Sequence, residues 1–238
     1  ESVRGLHRGT GTVATMGRRS DPRLLVLHGL RLKGVAAADV VADAVGLEPA
    51  QAETLLRAAG VEGFAIHRDG LLPGWALTPA GRSEHERLLA READAARARP
   101  TVEDAYGRFR RLNPGVLDAC SRWQVRDVGG RPVRNDHADA AYDRAVVRDL
   151  TALHARAAPV CAQLSDALDR YRPYGRRLGF AIERVRAGDT DYFTKPVLPS
   201  YHTVWFELHE DLLATLGLDR SAEALVPADT AHPAEGAS

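Results

Sequence analysis

The chain has 238 residues, 45% hydrophobic and 27% charged, and its Lys+Arg and Asp+Glu totals are equal at 32 each. This is the composition of a globular protein of one large or two small domains, and it excludes steering to nucleic acid by net charge, so any such contact has to come from a local patch. No apolar run approaches the roughly 18 residues of a membrane span, and the two cysteines, Cys120 and Cys161, lack metal-like spacing. With no apolar signal core at the N-terminus, these features place the expected location in a reducing cytoplasm, with no membrane partner, no metal and no cofactor.

Residues 1–19 are rich in Gly, Thr and Arg without periodicity and read as disordered, with Met16 a candidate start. Asp21-Pro22 is an N-cap followed by an N1 proline, and Leu24, Leu25, Leu27, His28 and Leu32 give the helix that follows an apolar face ending at Gly34. From Ala38 to Ala59 the pattern is helix, turn, helix. Ala42 is small where helices cross, Gly46 takes the positive φ that ends the first helix, and Pro49 starts the second. Ala52, Leu55 and Leu56 turn back onto Val41 and Val45, which leaves Glu48, Gln51, Glu53, Thr54 and Arg57 facing outward. Residues 64–67 and 75–77 are short strand-like runs about a Gly-containing turn, the pattern of a hairpin, and Thr78-Pro79 caps an exit helix reaching Arg97.

This order, together with the phrase Trp75-Ala-Leu-Thr-Pro-Ala-Gly-Arg82, resembles the MarR-like branch of the winged-helix regulators over residues 21 to 97. The resemblance implies a recognition helix for duplex DNA over residues 49–59 and a wing that touches the backbone or minor groove. Gln51, Thr54, Arg57 and wing Arg68 are then the DNA contacts, while Glu48 and Glu53 depart from the basic and neutral residues such a helix usually carries.

Beyond Arg97 the helical patterns lengthen, and a domain boundary falls near Arg99-Pro100. Thr101 with Asp104 forms a capping box, Asn113-Pro114 starts a short successor helix, and residues 127–135 read as a loop. His137 belongs to the N-cap region of a long helix from about Asp136, which Pro159 kinks or divides. A further helix follows Pro173, and a last one spans Ser200 to Leu216, stopped by Gly217. The expected architecture is mainly α: residues 20–98 as a winged helix-turn-helix with a small hairpin wing, 99–220 as a helical bundle for ligand binding and dimerisation, and 221–238 as a disordered tail.

On the last helix His202, Trp205, Phe206 and His209 share one face, either a core stripe or the wall of an aromatic pocket. Tyr192 and Phe193 would close such a pocket, and Tyr171 and Tyr174, inside the run Arg170 to Arg177, would add polar contacts to an organic ligand. That run also suits an anionic ligand, with a solvated helix junction as the plainer alternative. Glu207 and Glu210 are expected to be solvated. Two functions follow. One is a homodimeric DNA-binding regulator that senses a small organic ligand; the other is an enzyme or biosynthetic accessory protein that keeps the winged helix as scaffold and moves protons with His202 or His209.

Overall fold

The computed structural model describes residues 19–70 and 73–218; Met16 and the segment from Ser221 lie outside them, as do Leu71 and Leu72. The described residues are mainly α, with one three-stranded and one two-stranded antiparallel sheet among them. Helix α1 (Pro22–Lys33) is capped by Asp21, whose carboxylate accepts from Arg23 N, and ends at Gly34 with φ 78°. Strand β1 (Val35–Ala36) leads to α2 (Ala38–Val45) and α3 (Pro49–Val61), joined through Gly46 in the left-handed region. Strands β2 (Ala65–Arg68) and β3 (Gly74–Leu77) form the hairpin, and β1 adds to its free edge in the order β1-β3-β2. That third strand is too short to be read from sequence. Gly74 is required there, because a Cβ on it would stand 2.6 Å from the Ala36 carbonyl carbon.

Helix α4 (Pro79–Ala95), capped by Thr78, packs on α1, and an apolar core gathers around Val26, Leu27, Leu30, Val41, Ala52 and Leu56. A second core is built by α5 (Arg99–Gln124), α6 (Ala140–Ala167), α7 (Arg172–Arg186), the short α8 (Asp191–Thr194) and α9 (Tyr201–Leu216). Both cysteines are buried in it as free thiols.

Several local expectations are corrected. No helix break occurs at Asn113-Pro114: α5 runs through Pro114, because its buried stripe Phe109, Leu112, Val116 and Ala119 outweighs the roughly 3 kcal/mol a mid-helix proline costs. Thr101 is inside the first turn of α5 rather than its cap, since Pro100 already occupies the position where no N-H is needed. The loop expected over residues 127–135 falls largely within a hairpin, β4 (Val125–Val128) and β5 (Arg131–Arg134). Its turn is Gly129-Gly130, with φ of 62° and 81°, the paired positive values a two-residue hairpin turn needs. At the start of α6 the cap is Asp139, and His137 instead contacts Asp143, Nδ1 to Oδ2 2.9 Å; the same helix continues through Pro159.

Candidate functional site

Helix α3 turns Ala52, Leu56 and Ala59 inward and leaves Gln51, Thr54, Arg57 and Ala58 exposed on one side. Arg57, 72% exposed, is paired along the helix with Glu53, Nε to Oε1 2.7 Å. Thr54 Oγ1 donates back to Ala50 O at 2.9 Å, so its hydroxyl proton is already committed. Arg68 is exposed at the end of β2. Glu53 and Arg57 share a hollow of about 390 Å³ with His67 and Trp75 of the hairpin. The residues expected to meet DNA thus lie on one exposed side of α3 and on the neighbouring hairpin.

The residues expected to line one aromatic pocket occupy three different environments. Trp205 stacks on Phe109 of α5, centroids 4.4 Å apart at 20°, and donates Nε1 to Asn113 Oδ1 at 2.9 Å. His209 is buried 5.0 Å from the same Phe109 ring, whereas His202 is half-buried and Phe206 is 45% exposed. Phe193 stacks on Trp123 at 4.5 Å and 6°, and Tyr192 meets the edge of Phe180 at 5.5 Å with the Arg184 guanidinium over its ring. Tyr171 and Tyr174 are fully buried, 6.0 Å apart. Burial pushes the His202 imidazole below its ordinary pKa. Among the described residues no group of three or more His, Cys, Asp or Glu could hold a metal ion.

Tyr171 and Tyr174 instead belong to a buried polar network between the two cores. Arg170, just before α7, has no exposed side-chain surface. It donates Nε to Glu92 Oε2 of α4 at 2.7 Å, Nη1 to Asp211 Oδ1 of α9, and Nη2 to Thr215 Oγ1 at 2.5 Å. Tyr174 Oη donates to the other Asp211 oxygen at 3.1 Å, and Tyr171 Oη bonds Thr215 Oγ1 at 2.8 Å. His28 Nε2 of α1 lies 2.9 Å from Asp211 Oδ2, and His28 Nδ1 is 3.0 Å from His85 Nε2 of α4. The contact between His28 and Asp211 is an ion-pair distance without hydrogen-bond geometry, and the bond in the line His85, His28, Asp211 is the one between the two rings. Burial, and next the charge of His28, push the His85 imidazole down to about 3; its Nδ1 has no hydrogen-bond partner. For Asp211, burial drives the carboxyl upward but the charges of Arg170 and His28 outweigh it and hold it well below the usual range.

One turn along, Arg177 donates Nη1 to Glu207 Oε2 at 2.6 Å, and Lys33 Nζ of α1 donates to Glu207 Oε1 at 2.5 Å. Glu207 is therefore buried, not solvated, and Arg170 and Arg177 are committed to internal carboxylates rather than to a solvated junction. Sequence reasoning missed this network, although its signal exists. Arg170 and Arg177 sit four before and three after Tyr174, and so share its buried face; Glu207, Asp211 and Thr215 recur at the same helical spacing on α9.

Beside the network lies a cavity of about 530 Å³ between the start of α1, the α2–α3 elbow and the start of α7, with Gln51 on one wall and Arg172 on another. Comparisons with family models, with characterised proteins and with solved structures find no match to this chain.

Proposed function

We propose that α1 to α4 form a winged helix that binds duplex DNA through α3 and that the protein is a transcriptional regulator. The observation that carries this reading is the exposed set Gln51, Thr54, Arg57 and Ala58, with the other side of α3 sealed by its own core and a hairpin alongside. A helix so held can enter a major groove end-on while Arg68 approaches the backbone. Arg57 has to exchange Glu53 for phosphate, so few phosphates are neutralised and the salt slope should be shallow. A homodimer fits the same reading, since a two-fold axis would present two such helices one turn of DNA apart. Anisotropy of labelled duplex fragments titrated with the full chain tests it. Binding at low salt, with a slope that falls by about 1 in Arg57→Ala, is expected; no duplex retained at low salt ends the proposal.

The buried His–Asp contacts and the aromatic cluster favour a second reading, an enzyme or accessory protein that keeps the winged helix as scaffold. A row of two imidazoles ending on a carboxylate orients protons as catalytic relays do, and His202, half-exposed and shifted toward its neutral form, is an available base. Native mass spectrometry distinguishes the two. A retained organic compound that the protein converts, with conversion lost in His202→Gln, supports this second reading over the first.

A further inference from the structure

We infer that the cavity between α1, the α2–α3 elbow and α7 binds a small organic carboxylate, a monoanion with a compact apolar body. Its volume of about 530 Å³ falls in the range of sites that enclose small ligands. Leu25, Val45, Leu47 and Pro173 give it apolar walls. Its charged lining is Arg19, Arg170, Arg172 and Asp169, of which Arg170 is taken up by Glu92 and Asp211. Arg172 is balanced by Asp169, Nε to Oδ1 2.7 Å, while Arg19 has no ion-pair partner among the described residues, so one positive charge at the cavity is uncompensated. Ser20 lines it too, with its hydroxyl turned out of reach of solvent, and the Asp169 carboxylate that pairs with Arg172 shares the same lining. The Arg19 guanidinium, without an ion-pair partner among the described residues, supplies charge and paired N-H donors for one carboxylate, and the apolar walls accept the remainder of the molecule.

The walls come from both halves: Leu25, Val45 and Leu47 from a small apolar cluster on α1 and the α2–α3 elbow, Arg172 and Pro173 from the start of α7. A bound carboxylate therefore clamps the junction, and through Gln51 it touches α3. Its effect on DNA rests on the DNA-binding reading above; the binding itself does not.

Calorimetric titration of the full chain with a carboxylate series from acetate through hexanoate to phenylacetate, and with neutral phenylacetamide, tests the site. Saturable binding of at least one larger carboxylate at millimolar concentration is expected, with phenylacetamide weaker than phenylacetate by about tenfold or more. Arg19 is exposed, so Arg19→Gln should leave the fold intact and weaken carboxylate binding by about tenfold. Gln51→Glu, which brings a negative charge to the wall, should weaken it as well. No saturable heat from any carboxylate, equal affinity for acid and amide, or unchanged affinity in Arg19→Gln would each overturn the proposal. Carboxylate binding by a protein that retains no duplex supports this site and overturns only the DNA-binding reading.

Discussion

Arg170, just before α7, and Asp211, in α9, form an ion pair in which neither side chain has any exposed surface. Two charges taken out of water are expensive, and their mutual attraction offsets the cost only when the remaining donors and acceptors are also satisfied. Here they are: Glu92, Thr215 and Tyr171 complete the guanidinium, Tyr174 and Thr215 donate to the carboxylate, and His28 Nε2 stands 2.9 Å from it as a further ion-pair contact. Because Glu92 and His28 belong to α4 and α1, the pair ties the two cores in one docked arrangement.

Removing one partner should therefore cost more than removing both. Asp211→Ala leaves Arg170 buried with only Glu92 to balance it and should lower the unfolding free energy by about 3–5 kcal/mol. Arg170→Met combined with Asp211→Leu and Glu92→Leu, which removes both carboxylates that face the guanidinium, should recover part of that loss, as apolar replacement of a buried ion-pair set often does. Urea denaturation of the full chain measures both. A loss below about 1 kcal/mol in Asp211→Ala would mean that the pair is open to water.

Acid should destabilise the protein in two stages of the same sign. His85 titrates at about 3 when folded, because burial and the His28 charge oppose its protonation. The unfolded imidazole takes up a proton near pH 6.5, so stability falls as the pH drops from about 6.5 toward 3. Asp211 is held below its unfolded value, so its contribution is present above about pH 3.9 and is lost below it. His154 and His202, also lowered by burial, act in the first window with the same sign. The denaturation midpoint followed from pH 8 to 4 should begin to fall near pH 6.5, and His85→Gln should flatten part of that fall. A midpoint unchanged between pH 7 and 5 contradicts this account.

Two glycines should respond oppositely to a methyl group. At Gly81 in α4 a Cβ would stand 1.9 Å from the Phe64 carbonyl oxygen, a backbone atom that cannot swing aside. Gly81→Ala should destabilise by about 1–3 kcal/mol or more, by pushing α4 away from the chain entering β2. At Gly179 in α7 a Cβ meets nothing within 4 Å, and Gly179→Ala should stabilise by about 0.5–1 kcal/mol. Parallel thermal melts of the two variants compare them directly, and a stable Gly81→Ala would show that the close approach is absent in solution.

The sequence by itself determined the elements whose causes are local. Asp21-Pro22, Thr78-Pro79 and Ser200 start helices because a side-chain oxygen and, in the first two, a ring-fixed φ act within three residues; Gly46 and Gly217 end them by taking positive φ. The inward set of α2 and α3 was legible for the same reason, since a 3.6-residue period sorts Val41, Val45, Ala52 and Leu56 to one side. What tertiary structure decided is which charges go inside. Glu207 read as solvated, and Arg170 and Arg177 as ligand contacts or a solvated junction, because a lone charge is almost never buried, and only the meeting of α7 with α9 and α1 supplies the partners that make burial tolerable. The same holds for β1, two residues long, which exists only because β3 offers it an edge, and for Pro114, kept inside α5 by contacts made far away in sequence. Trp205 and His209 were legible as one face of α9, but a period cannot tell whether a face meets a cavity or another ring; Phe109 of α5 decided that.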